Sequence, residues 1–204
     1  MINFILTCIK YPINRFVLRP LFKTDPWHDY PYNHKQYAVD MVKFINHDKH
    51  ILDWDSIVSK DQYIVEVGCG RGDIIGRINR VCKGKFGYDI DRQILKIGKM
   101  FHRNVKIKKG TFSEVKAEEI SIFIMVNFIQ SIPPAELKGA LMELMQRSNI
   151  KLVVLDTLKL QEGSPYQYAH DGAYLLPGFE MVHHSKKYQT KFNADRRIEY
   201  WMRK

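Results

Sequence analysis

The chain is poor in cysteine, with 3 in 204 residues. Cys8, Cys69 and Cys82 are odd in number and show no paired spacing, which argues against a disulfide framework or a zinc site and suits a reducing compartment. No apolar run reaches the roughly 18 residues that would read as a membrane span. The apolar start, residues 1–9, has no basic stretch before it and no small-residue cleavage site after it, so a secretory signal peptide is not expected. Internal repeats and low-complexity tracts are also missing. These absences, with 45% hydrophobic content, point to a globular, cytoplasmic chain with one well-filled core, at most peripheral to the inner face of a membrane.

What the chain does have is positive charge. A formal net charge of +10 and a pI near 9.4 favour polyanionic neighbours such as nucleic acid, acidic lipid or acidic glycan, although net charge bears on association and not on chemistry. Residues 1–32 stand apart as a basic, apolar arm. Phe4, Ile5, Leu6, Ile9, Phe16 and Val17 are interleaved there with Lys10, Arg15, Arg19 and Lys23. Residues 1–23 suit peripheral contact with an anionic membrane, and equally an arm packed on its own domain or on a second subunit. Pro12 and Pro20 interrupt any long helix in this stretch.

From residue 33 to 204 the pattern is that of one α/β domain. A helical pattern starts at Asn33 and ends near 46–49. Strands are expected over 63–67, 85–89, 105–108, 120–126 and 152–155. Helices are expected over 72–81 and 91–101, and from Pro133-Pro134 to about 147, where proline suits a first helical turn. Residues 159–178, punctuated by glycine and proline, read as loop. Strands over 179–190 and 196–202 form an antiparallel hairpin. Alternating strands and helices of this kind signal a mostly parallel sheet with helices on both faces.

The strongest signal is Val65-Glu66-Val67-Gly68-Cys69-Gly70-Arg71-Gly72. A strand runs into closely spaced glycines and then into a helical pattern, an arrangement that brings backbone up to a ligand. Phe86-Gly87-Tyr88-Asp89 ends the second strand, where a carboxylate can accept hydrogen bonds from both ribose hydroxyls. A dinucleotide site would need G-x-G-x-x-G, but Asp73 stands where its third glycine should be. A carboxylate at Glu66 would also repel a pyrophosphate, while suiting the ammonium and sulfonium of S-adenosylmethionine.

The V-E-V-G-C-G-R-G run resembles the first motif of class I S-adenosylmethionine-dependent methyltransferases, and Gly87-Tyr88-Asp89-Ile90-Asp91 resembles their second. Lys109-Gly110-Thr111-Phe112 falls where the family often has a Gly-Asp pair. Met125-Val126-Asn127-Phe128, followed by Ile132-Pro133-Pro134, resembles its fourth-strand motif. The resemblance implies a Rossmann-like α/β fold: a seven-stranded, mostly parallel sheet with helices on both faces and a C-terminal antiparallel hairpin. It implies S-adenosylmethionine as cofactor, contacted by Glu66, Gly68, Cys69, Gly70, Asp89, Ile90, Thr111, Phe112 and Asn127. Thr111 replaces the usual acid, leaving adenine to backbone, the Thr111 hydroxyl and Phe112. No metal is expected.

For an oxygen acceptor a base is needed, and His170-Asp171 in the loop after the fifth strand are the leading candidates, with His34 a rival. Tyr166, Tyr168 and Tyr174 nearby would line a pocket for a flat or sugar acceptor. No Asn-Pro-Pro-Tyr motif follows the fourth strand, which lowers the rank of planar amine acceptors. The expected acceptor is a hydroxyl of a small molecule or a lipid-linked glycan. The alternatives are an RNA methyltransferase, suggested by Lys106, Lys108 and Lys109 with Lys186, Lys187 and Lys191, or a nucleoside-binding protein without turnover.

Overall fold

The computed structural model describes residues 42–46, 57, 59–116, 119–160, 162, 166–185, 188–189 and 195–204. The arm at 1–32, His34, the start of the first helical pattern, and Lys186, Lys187 and Lys191 lie outside these residues.

Five parallel strands form the frame: β1 (Tyr63–Val67), β2 (Gly84–Asp89), β3 (Lys106–Lys109), β4 (Ile120–Met125) and β5 (Leu152–Lys159). The chain then returns through β6 (Phe179–His184), the two-residue β7 (Tyr188–Gln189) and β8 (Asp195–Arg203). Strand order is β3-β2-β1-β4-β5-β8-β6, with β7 also paired to β8. β8 runs antiparallel to both β5 and β6, so the terminal hairpin inserts its last strand next to the parallel set. The seven expected strands and the reversed hairpin are thus present, and β7 is a short addition.

Central strands buried on both faces read as continuous apolar runs, and β4, Ile-Ser-Ile-Phe-Ile-Met, is buried at every position. Alternation then divides the core in two. Ile64, Ile122, Ile124, Leu152 and Val154 face Ile74, Ile75, Ile94 and Ile97 on one side. Val65, Val67, Phe123, Met125 and Val153 face Leu137, Leu141 and Leu144 on the other. Residues 42–46 are helical and bring Phe44 and Ile45 into the first core, where Phe44 stacks on His183 at 4.5 Å. That contact gives His183 a structural role.

Helix α1 (Arg92–Phe101) starts where Asp91 accepts hydrogen bonds from the Gln93 and Ile94 amides, an N-cap that satisfies donors the helix itself cannot pair. Helix α2 (Pro134–Gln146) has proline in its first turn and buries Leu137, Leu141 and Leu144 at helical spacing. Helix α3 (Gly172–Leu175) is a single turn capped by Asp171.

The helix expected over 72–81 does not form. Only a 3-10 turn, Ile75–Arg77, follows the glycine loop. Two glycines and three isoleucines between 72 and 78 are poor helix formers. The alternative is well anchored: Gly76 sits so close to the His102 ring that an added Cβ would lie 2.3 Å from Nδ1.

Candidate functional site

The carboxyl ends of β1, β2 and β4 open onto a cavity of about 840 Å³. Its walls are the loop after β1 (Gly68, Gly70, Arg71), the end of β2 (Asp89, Ile90, Asp91) and the turn after β3 (Gly110, Thr111, Phe112, Ser113). Asn127 and Phe128 after β4, one face of α2 and Tyr166 complete it. A crevice outside the strand ends, where neighbouring connections diverge, is where open α/β sheets take ligands.

The loop after β1 is built for close approach. Gly68 has φ +70°, and a Cβ there would lie 2.2 Å from the Phe128 ring. Gly70 donates its amide to Asp89 Oδ2 at 2.8 Å, and the Asp91 amide donates to Oδ1 at 3.0 Å. Two backbone donors therefore orient the Asp89 carboxylate, which still lines the cavity. Arg71 is tied back by Asp73 at 2.7 Å. Burial alone would raise the Asp73 pKa, but Arg71, His102 and Arg77 override it and hold the carboxyl below its usual range.

On the opposite side, Phe112 and Phe128 lie 5.9 Å apart and give the cavity an aromatic wall. Arg147 holds that wall in place by donating to the Phe112 carbonyl at 2.6 Å and the Ser113 carbonyl at 3.1 Å. The Thr111 amide and hydroxyl both donate to Glu114, at 2.6 and 2.9 Å. Those hydrogen bonds, the Thr111 amide first, bring the Glu114 pKa down to about 2. Because the Thr111 hydroxyl directs its hydrogen to Glu114, it meets the cavity as a hydrogen-bond acceptor.

Asn127 occupies a left-handed backbone conformation, φ +70°, which asparagine tolerates better than other side chains. Its amide N–H donates to Asp156 Oδ1 at 2.8 Å, and its Oδ1 accepts from Arg196. Arg196 and Asp156 are both buried and pair at 3.1 Å. The Arg196 guanidinium also lies 4.8 Å from the centre of the Tyr166 ring.

Of the expected cofactor contacts, Gly68, Gly70, Asp89, Ile90, Thr111, Phe112 and Asn127 line this one cavity. Glu66 and Cys69 do not. Glu66 is fully buried beneath the loop and accepts from the Ile75 amide at 3.2 Å. Burial, reinforced by Asp73 and Asp89 and only partly offset by the Ile75 amide, pushes its pKa well above the ordinary 4.5. The Cys69 thiol points into the core, where Gly87 makes room for it.

The expected bases also fall elsewhere. His170 is buried and donates from Nε2 to the Ile129 carbonyl at 2.8 Å, and burial lowers its pKa. It pins the 166–171 segment to the turn after β4. Asp171 is exposed and occupied as the cap of α3. Neither lines the cavity. Among the three tyrosines, Tyr166 lines it, while Tyr174 lies under Lys138 at 4.1 Å.

Glu136 and Glu143 of α2, and Arg147 just past its end, also line the cavity, and the sequence reading does not single them out. Their spacing with Ala140 marks one helical face, so the signal was there to be read. Lys106 and Lys108 lie over the Phe86 ring, at 5.6 and 4.8 Å, on the edge strand β3 and outside the cavity lining. Among the described residues no cluster of three or more metal-ligating side chains occurs, and no helix is long and apolar enough to cross a membrane.

Neither the scan of family models nor the search of curated proteins gives a match. Solved structures do. The fold is similar to magnesium protoporphyrin IX methyltransferase from Synechocystis PCC 6803 with bound SAH, at 14% identity and TM-score 0.64, over 97% of this chain and 99% of that one. It is similar to the N-methyltransferase NodS from Bradyrhizobium japonicum WM9 in complex with S-adenosyl-L-homocysteine, at 10% identity and TM-score 0.64, over 91% and 96% of the chains. A methyltransferase from Methanosarcina mazei matches at 15% identity and TM-score 0.55, over 72% and 95%. The chain has the class I methyltransferase fold.

Proposed function

We propose that this cavity binds S-adenosylmethionine and that the protein is a methyltransferase acting on a small-molecule acceptor. The observation that carries the reading is the junction of β1 and β2. A glycine turn that a Cβ would fill stands beside a carboxylate held by two amides, on a fold shared with proteins solved with the methyl donor or its product. Asp89 is the ribose acceptor in this reading. The Thr111 hydroxyl accepts from the adenine amino group, and Phe112 packs on the ring.

The donor supplies an activated methyl on sulfur. The chain's own part is to hold the acceptor in line at about 3–3.5 Å and to exclude water. Phe128, Ile132, Leu137 and Tyr166 give the cavity an apolar and aromatic side suited to a flat or sugar acceptor. A hydroxyl of a small molecule is the acceptor we favour, and the name of the Synechocystis neighbour gives a small-molecule precedent. A lipid-linked glycan reached through residues 1–23 rests on the sequence of the arm alone. RNA ranks second, since Lys106 and Lys108 are engaged with Phe86 at the sheet edge.

Calorimetric titration with S-adenosylhomocysteine tests the donor site. Labelled S-adenosylmethionine with pooled hydroxylated small molecules, glycans and RNA tests turnover and ranks the acceptors. Absence of any S-adenosylhomocysteine binding by folded protein would sink the proposal. Binding without label transfer to any pool would favour a nucleoside-binding protein without turnover.

A further inference from the structure

The three residues Asn127, Asp156 and Arg196 close a ring of polar contacts behind the cavity. The Asn127 main-chain amide donates to Asp156 Oδ1, Asp156 Oδ2 faces Arg196 Nε, and Arg196 Nη1 donates to Asn127 Oδ1. Arginine has donors only, so the side-chain atom it meets is the carboxamide oxygen and not the nitrogen. Reversing the amide would set NH2 against a buried guanidinium, an arrangement with donors on both sides. Ion pairing to Asp156 and the cation–π contact with Tyr166 leave Arg196 little freedom to accommodate it.

Asn127 lines the cavity, and its carbonyl oxygen is already committed. We infer that Asn127 acts on the acceptor as a hydrogen-bond donor, so that the protein methylates an oxygen (a hydroxyl, phenol or carboxylate) in preference to an amine. The inference rests on the proposed methyl-transfer reading with its hydroxyl acceptor, and goes further by naming the residue that selects oxygen over nitrogen. An oxygen lone pair accepts from the Asn127 N–H while a second lone pair attacks. The O–C bond forms as the C–S bond breaks and its electron pair leaves on sulfur. A hydroxyl then releases its proton to water at the cavity mouth, whereas a carboxylate has none to lose. An amine approaching the same side chain brings N–H to N–H. Asn127 is thereby a specificity-determining residue, and Arg196 and Asp156 are positioning residues that act through it.

The test uses the full chain loaded with S-adenosylhomocysteine and three probes on one ring scaffold: phenol, benzoate and benzylamine. Binding is followed by ligand-observed nuclear magnetic resonance on wild type and on Asn127→Asp. That variant keeps an oxygen for Arg196 and exchanges the NH2 for a second oxygen. In wild type, phenol or benzoate should bind about tenfold more tightly than benzylamine, the worth of one hydrogen bond. In Asn127→Asp the order of benzoate and benzylamine should reverse, while phenol, which donates as well as accepts, should still bind. Equal or tighter benzylamine binding by wild type, or no binding of either oxygen probe, overturns the inference without recourse to the variant. So does loss of S-adenosylhomocysteine and probes alike in Asn127→Asp, which would place Asn127 on the donor. Failure of the wild type to load with S-adenosylhomocysteine would show at the first step, and there the underlying reading itself fails.

Discussion

The Gly70 amide donates to Asp89 Oδ2 at 2.8 Å, joining the loop after β1 to the end of β2. One carboxylate thus shapes the turn and faces the cavity. Asp89→Ala removes both the partner of the Gly70 amide and the group proposed to hold the ribose. Hydrogen bonds to a charged group are worth about 1.5–3 kcal/mol each, so S-adenosylhomocysteine affinity should fall by about two orders of magnitude. Calorimetric titration of the variant beside wild type measures this. Asp89→Asn should be milder, because its carbonyl oxygen can still serve one amide.

Gly68 and Phe128 share a space that admits only one side chain. Gly68 has φ +70°, and a Cβ would stand 2.2 Å from the Phe128 ring. Gly68→Ala should cost about 1–2 kcal/mol for the left-handed backbone, with a further loss from displacing the ring. Measured against Phe128→Ala as the background, the glycine substitution should cost only the backbone part. Denaturant unfolding of the four proteins in this cycle separates the two contributions, and equal costs in both backgrounds would show that the ring moves aside freely.

Asp73 sits between Arg71 at 2.7 Å and His102 at 3.0 Å, all three side chains almost wholly buried. Removing one partner of a buried ion pair leaves the other charge uncompensated, and Asp73→Asn should cost about 3 kcal/mol or more in denaturant unfolding. The Asp73 pKa is lower in the folded chain than its ordinary value of 3.8, so the unfolded chain binds more protons in acid. The stability Asp73 contributes is therefore full above pH 3.8 and is lost as pH falls through the lower folded value. Asp73→Asn should lack that part of the acid transition. Arg71 lines the cavity, so weaker S-adenosylhomocysteine binding should accompany the loss.

How far the sequence was legible depended on how local each cause is. The glycine turn and Asp89 were readable because backbone conformation and residue type settle them within a few positions. The succession of strands and helices followed from their alternating patterns, and the antiparallel hairpin from the last two strand-like runs. Residues 72–81 do not form the expected helix because Gly72 and Gly76 weaken it locally and His102, far along the chain, occupies the space beside Gly76. His170 looked like a base because loop histidines are free to act, yet the Ile129 carbonyl claims it across 41 positions. Arg196 and Asn127 are 69 positions apart, and nothing in either segment announces the other.

Glu66 offers the sharpest separation of cofactor chemistry from loop architecture. It is buried under the glycine turn, with Oε2 accepting from the Ile75 amide and Oε1 without a hydrogen-bond partner. Burial raises its pKa well above the ordinary 4.5, so the folded chain holds this proton more tightly than the unfolded chain does. By linkage, the stability it contributes is full below pH 4.5 and is lost as pH rises through the raised folded value. Glu66→Gln keeps an oxygen for the Ile75 amide and cannot ionise. It should unfold at a higher temperature than wild type at pH 8, because wild type must ionise or hold a proton against the solvent there and the variant need not. The difference between the two proteins should shrink toward pH 4.5, and melting curves across that range measure it. Because Glu66 does not line the cavity, S-adenosylhomocysteine affinity should change little in Glu66→Gln. A large loss of affinity with stability unchanged would instead mean that ligand binding draws the carboxylate out as an anion, which is the role its sequence position suggested.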